Sequence, residues 1–319
     1  MRSFTSSLVT TVLLGSLAAL GACGDDTSDG GGSGGSDSPT TSTTTTSTKA
    51  STGSTSSSST TSTSTTSSVT TGAGGGVDAD HLLINEVVVA PEGGSEFVEI
   101  HNPTAASVAL DDYYLSDNST YFDLANGDPW NPTTNNPGTD FLGQFPAGLE
   151  IPAGGYLVIG FDPGYFDAWG GCPDLYIAPA PVDCNGSMVP NMLETEDGSI
   201  TDASNLSNSR EMLVLFTWSG NTADVLQDVD YVTWGADFED GSRADKTGVT
   251  GYQADTAPAN QVGALAPMAT SSIERCGPEV GETQSGGNGI TGQDETSEDF
   301  SASFAVEVAP TPGVANVCP

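Results

Sequence analysis

The chain has 319 residues, with 42 Asp and Glu against 6 Lys and Arg, a formal net charge of −36. Such a charge repels a phosphate backbone and an anionic lipid face, which argues against nucleic-acid binding and against membrane adhesion through a basic patch. Five Cys are too few for a scaffold held mainly by disulfides, and two His leave little room for His-rich metal sites or Ser-His-Asp triads.

Residues 1–22 read as a signal peptide. Met1-Arg2-Ser3 supplies a positive start, and residues 8–22 are mostly apolar but too short and too interrupted by Ser and Thr to span a bilayer. The stretch ends Leu20-Gly21-Ala22-Cys23, which resembles the bacterial lipobox. That resemblance implies diacylglyceryl attachment to Cys23, cleavage before it, and stable anchoring by several acyl chains. Gly24, rather than Asp, follows the Cys. By analogy with enterobacterial sorting this favours the outer membrane or cell surface.

Residues 23–76 form the lipidated Cys and a tether. From residue 38 to 71, 29 of 34 residues are Ser or Thr, so nothing there can build a core and a disordered linker is expected. As a flexible coil the segment spans on the order of 40 Å, and fully extended roughly 160 Å.

From residue 77 to 319 the composition changes. Short apolar runs alternate with Gly, Pro, Asn and Asp clusters, the pattern of an all-β sandwich or barrel. Strands are expected at 82–89, 96–101, 107–110, 113–116, 149–151, 156–161, 211–218, 228–234, 272–275 and 303–308. No helical period is sustained beyond two turns, and there is no internal repeat. In the second strand Val98 and Ile100 share one face, and Phe97, Glu99 and His101 the other.

The ordered strand motifs resemble the lamin-tail domain, an immunoglobulin-like β-sandwich. They begin with Leu83-Ile84-Asn85-Glu86-Val87, Glu96-Phe97-Val98-Glu99-Ile100-His101-Asn102-Pro103 and Tyr113-Tyr114-Leu115-Ser116-Asp117. They continue with Ile151-Pro152-Ala153-Gly154-Gly155-Tyr156, Glu211-Met212-Leu213-Val214-Leu215, Val229-Asp230-Tyr231-Val232-Thr233-Trp234-Gly235, Ser272-Ile273-Glu274-Arg275 and Thr311-Pro312-Gly313-Val314-Ala315-Asn316. The resemblance covers most of residues 80–317 and implies no catalytic motif. In nuclear lamins the domain binds proteins and DNA; bacterial copies look like surface or secreted modules, sometimes attached to hydrolases. Residues 118–146, 163–203 and 236–270 read as long loop insertions into that fold.

With Cys23 lipidated, Cys172, Cys184, Cys276 and Cys318 remain, an even number that suggests two disulfides in an exported domain. Three pairings are possible, and Cys172–Cys184 with Cys276–Cys318 is the simplest. Arg275 is one of four basic residues after residue 76, and is expected to pair with a strand carboxylate such as Glu99. Acidic clusters on Gly-rich loops offer weak Ca²⁺ candidates in Asp117, Asp123 and Asp128, although none has the spaced Ca²⁺-loop pattern. No other cofactor is implied. Tyr121, Phe122, Trp130, Tyr165, Phe166 and Trp169 lie in the insertions. There they either contact a protein or glycan ligand or glue the insertions to the sandwich. Neither His81 nor His101 has a nucleophile in a recognisable motif.

The expected function is therefore that of a membrane-anchored, non-catalytic β-sandwich that binds an envelope protein or glycan and no nucleic acid. The alternative is a hydrolase, or an accessory module of one, acting on extracellular polymer. A groove of convergent carboxylates between the insertions would favour the second; aromatics packed down on a smooth acidic surface would favour the first.

Overall fold

The computed structural model describes residues 79–89, 95–132, 138–235, 241–268 and 271–319. Residues 1–76, on which the expected signal peptide, lipidated Cys23 and disordered tether fall, lie outside the described residues.

The strands are β1 (Leu83–Val88), β2 (Phe97–His101), β3 (Val108–Ala109), β4 (Tyr113–Ser116), β5 (Leu142–Gln144), β6 (Glu150–Ile151), β7 (Tyr156–Gly160), β8 (Leu175–Tyr176), β9 (Val182–Cys184), β10 (Ser187–Val189), β11 (Leu193–Glu194), β12 (Glu211–Thr217), β13 (Gln227–Trp234), β14 (Ser272–Arg275) and β15 (Phe304–Val308). One sheet runs β15-β14-β1-β2-β7-β8 and the other β11-β5-β4-β12-β13, with small ladders β3–β6 and β9–β10. Apart from the parallel β7–β8 pair, the ladders between these strands are antiparallel. All ten strands expected from the alternating pattern form. The segments 118–146 and 163–203 are not plain loops, because they contribute β5 and β8–β11. They also carry a short α-helix, α1 (Tyr165–Trp169).

Period-2 alternation sets the layers. Val98, Ile100, Leu157 and Ile159 enter the main core together with Leu213, Leu215, Val232 and the fully buried Trp234. Phe97, Val88 and Val158 belong instead to a second apolar cluster, which is roofed by Tyr165 of α1 and by Cys184 and Val189 of the β9–β10 hairpin. The six-stranded sheet is thus covered on both faces.

Polar groups tie the sheets together. A β-bulge in β1 lies between Ile84 and Glu86. It leaves the Ile84 N–H to donate to Asp230 Oδ2 of β13 at 2.5 Å, across to the other sheet. Arg275 is fully buried; its Nε donates to the Ile84 carbonyl at 3.2 Å. Its Nη2 donates to Asp230 at 2.8 Å and its Nη1 to Glu298 at 2.9 Å, and the guanidinium stacks 4.5 Å from the Phe304 ring.

The expected Arg275–Glu99 pair does not form. The register aligns Glu274 with Glu86 and Glu86 with Glu99. Glu274, not Arg275, therefore shares the face of Glu99, and the next residue along the strand must point the other way. The result is a row of three buried glutamates across β14, β1 and β2, with no cation among them. The C-terminal turn covers the row. The Thr311 N–H donates to both Glu86 oxygens at 3.1 Å, and the Gly313 N–H donates to Glu99 Oε2 at 2.5 Å. Pro312 and Gly313 occupy the middle of this turn, closed by Val314 N–H to the Thr311 carbonyl at 3.2 Å. Gly313 has φ +81°, which an L side chain resists. Asn316 completes the lock: its Nδ2 donates to the carbonyls of Asn85 and Arg275 at 3.0 and 2.9 Å. Disulfides join Cys172 to Cys184 and Cys276 to Cys318, and the second pins this C-terminal segment beside β14.

Candidate functional site

A cleft opens between residues 118–131 and the strip that follows β11. It is lined by Asn118, Thr120, Asp123, Asp128, Trp130 and Glu196, among others, and is shallow, with about 20 Å³ of space for the centre of a water-sized sphere. The floor is built locally. The Asn118 carboxamide oxygen accepts from the backbone N–H and hydroxyl of Thr120 at 2.7 and 3.0 Å, while its Nδ2 donates to the Asn131 carbonyl at 3.0 Å. This side chain closes the loop on itself. A 3₁₀ helix, Tyr121–Asn126, follows and ends at Gly127, whose φ is +69°. The opposite wall hangs on Ser199, whose hydroxyl donates to the Leu142 carbonyl at 2.9 Å and accepts from the Thr195 N–H at 3.0 Å.

Tyr121 anchors the helix from within. Its ring lies 5.0 Å from that of Phe216, and its hydroxyl donates to Asp228 Oδ1 at 2.5 Å. Lys246 Nζ sits 2.7 Å from Asp228 Oδ2 and 3.2 Å from Asp255, over the Tyr121 ring. Hence Tyr121 and Phe122, 1% and 6% exposed, are core rather than contact residues. Tyr165 is likewise buried, edge-on to Phe97. Phe166 and Trp169 are half-buried against the same cluster, and Trp169 Nε1 donates to the Ser95 carbonyl at 2.9 Å. Their burial follows from the apolar outer face of β2 and β7, which would otherwise meet water. Of the six aromatics, only Trp130 lines the cleft as a half-buried ring.

The three acidic candidates do not converge. Asp117 is buried and turned inward, with Oδ1 accepting from the Phe141 N–H at 2.7 Å; burial, then Glu211 and Asp140, push its pKa well up. Asp123 and Asp128 do share the cleft, and partial burial followed by the charge of Asp128 raises the Asp123 carboxyl.

A second hollow, about 300 Å³ by the same measure, lies over β7, bounded by Tyr156, Tyr165, Trp169, the Cys172 end of the first disulfide, and Pro312-Gly313. Tyr156 stacks on His101 with ring centroids 4.5 Å apart. Burial lowers the His101 pKa. Sequence reasoning did not single out Tyr156. Its register opposite His101 was the available signal.

Residues 78–235 match the family described as Lamin Tail Domain. The chain carries a lamin tail domain. The family match ends at the close of β13, whereas β14, β15 and the Pro-Gly turn continue the lamin-tail sheet beyond it. A crystal structure of a DUF4876 family protein from Bacteroides thetaiotaomicron VPI-5482 is similar, at 14% identity over 72% of each chain and a TM-score of 0.44. No curated protein matches this chain. Three of the four basic residues of the lamin-tail region, Arg243, Lys246 and Arg275, are buried, so its exposed charge is overwhelmingly acidic.

Proposed function

We propose that this protein is a lipid-anchored envelope protein whose lamin tail domain binds glycan through the cleft between its two insertions, without catalysis. The observation that carries the reading is the lining of that cleft. One half-buried indole, Trp130, is flanked by the carboxylates of Asp123, Asp128 and Glu196, which can accept from hydroxyls. A sugar ring presents an apolar face for stacking and a rim of hydroxyls for such groups. A rigid sandwich carrying the loops keeps that arrangement in place before binding. The Cys23 anchor and Ser/Thr/Gly-rich tether fit presentation of the domain away from a membrane.

The test is titration of the full chain with a panel of envelope and extracellular oligosaccharides. Trp130→Ala should weaken binding about tenfold or more, the loss of roughly 1.4 kcal/mol of stacking. Cys23→Ala should move the protein from membrane to soluble fractions. A second reading, hydrolysis of the same class of polymer, draws on one observation: Asp123 has a raised pKa beside Asp128, a pairing that suits an acid and a base. Turnover lost in both Asp123→Asn and Asp128→Asn would favour that reading over pure binding.

A further inference from the structure

The glycan cleft leaves unused a group of buried side chains around His81, Glu279 and Glu295. His81 stands among the domain's first described residues, and its side chain is almost fully buried. Nδ1 lies 3.1 Å from Asp80 Oδ1, and Nε2 lies 2.9 Å from Glu279 Oε1. Glu279 follows β14. Glu295 opens the 3₁₀ helix Glu295–Ser297 and is 1% exposed. The helix does not use the Glu295 carboxylate as a cap, because the Asp294 side chain accepts from the Thr296 N–H. Neither carboxylate oxygen of Glu295 has a hydrogen-bond partner.

Burying a carboxylate with no donor and no counter-charge is strongly unfavourable. The neighbouring cation is already committed: Arg275 directs its guanidinium to Asp230, Glu298 and the Ile84 carbonyl, and none of these bonds reaches Glu295. The trio Asp230, Glu279 and Glu298 therefore already has its positive charge. The trio His81, Glu279 and Glu295 offers one ligand atom each, all within 4.8 Å of one another; its own cationic group, His81, pairs with Glu279 and Asp80 and leaves Glu295 without a partner. Glu282 is close by and half-buried; its Oε1 is also without a partner, while Oε2 accepts from Gln284.

We propose that His81, Glu279 and Glu295 bind a first-row divalent cation of the Zn²⁺ type. Three features select that class. The donor set is one imidazole nitrogen with carboxylates, which suits Zn²⁺ or Mn²⁺, whereas Ca²⁺ takes six to eight oxygens. Metal–ligand bonds of about 2.1 Å in a tetrahedral site put ligand atoms roughly 3.4 Å apart, so the trio needs only small side-chain adjustments. Asp80 stands where a carboxylate orients a metal-bound histidine, accepting Nδ1–H so that Nε2 faces the ion. The ion would fasten the start of the domain, where the tether joins it, to residues 277–299 at the other end of its sequence.

The experiment uses the full-length protein, stripped with a chelator and re-equilibrated with Zn²⁺ as probe. One equivalent should survive buffer exchange, and saturating Zn²⁺ should raise Tm by about 5–10 °C. Glu295→Gln and His81→Ala should each lower Zn²⁺ affinity about 100-fold or more and abolish the Tm rise. In chelator, Glu295→Gln should melt at or above the wild-type temperature, since it replaces a buried carboxyl that has no hydrogen-bond partner; this separates lost binding from lost folding. Failure to retain Zn²⁺, retention undiminished in both variants, or a larger Tm rise with Ca²⁺ than with Zn²⁺ would each overturn the assignment. Since the two sites share no lining residue, the metal readouts are scored separately from glycan binding.

Discussion

Replacing Glu86 by Gln tests the glutamate row directly. Burial first, then the charge of Glu274, lifts the Glu86 pKa from 4.5 to about 8, against the opposing Thr311 N–H. The groups facing it are Glu274 and Glu99 on the adjacent strands, the Ser272 hydroxyl, the C-terminal turn and, at longer range, Tyr165. An unfolded Glu loses its proton near its ordinary pKa, so between that value and about 8 the folded state holds the extra proton. Stability contributed by this group is therefore full at the acid end and falls as pH rises through the window. The slope is at most about 1.4 kcal/mol per pH, or about 3 kcal/mol from pH 5.5 to 7.5, and roughly half that once relaxation and water entry are allowed. At about 2–4 °C per kcal/mol for a domain of this size, wild-type Tm should drop by about 3–6 °C more than that of Glu86→Gln over the same interval. The assay is differential scanning calorimetry at several pH values with chelator present. Replacement of the exposed Glu150 by Gln serves as control. Glu99, raised to about 7 by burial, supplies a smaller slope that both proteins keep. Parallel Tm–pH curves for wild type and Glu86→Gln would refute the account of the row as buried protonated acid.

Arg275→Leu should destabilise by about 3–5 kcal/mol, seen as a lower urea midpoint, because it strands Asp230 and Glu298; adding Asp230→Asn should recover part of the loss. Cys276→Ser with Cys318→Ser opens a loop of 42 residues and should cost about 4 kcal/mol. The Cys172/Cys184 pair spans 12 and should cost about 3 kcal/mol, read by the same denaturation series.

The strands were legible where alternation ran for four residues or more between Gly, Pro or Asn breaks. β8 and β11 were not, being two residues long and paired only through tertiary contacts, whereas the β9–β10 hairpin carried a sequence signal in Asn185-Gly186, which make its two-residue turn with positive φ. β5 was readable in hindsight: Phe141-Leu142-Gly143-Gln144-Phe145 places large apolar residues at both ends of a short run. The disulfides were legible because proximity in sequence favours closure. Arg275 was assigned to the wrong carboxylate because one extra residue at Asn85 sets which glutamates align, and a bulge leaves no local sign in composition. Tyr121 looked like a loop aromatic because its partners, Phe216, Asp228 and Lys246, are about a hundred residues away in the chain. The unpartnered carboxylate of Glu295 is a fact of three dimensions that no spacing encodes.

The placement of β1 between β2 and β14 has a consequence for how the protein is made. The chain emerges amino end first, so Leu83-Ile84-Asn85-Glu86-Val87-Val88 is synthesised early but waits nearly 190 residues for the partner on one of its sides. Until Ser272–Arg275 arrives, that side of β1 is an open edge with free N–H and C=O groups, the kind of edge that recruits foreign strands. The buried Glu86 on that strand works in the opposite direction during the interval. In a half-built sheet it is solvated and charged, which opposes edge-to-edge pairing, and it is sealed in only when Thr311 to Asn316 fold across it. Closure of the sheet is thus a late, long-range event, so refolding should be slow for a domain of this size.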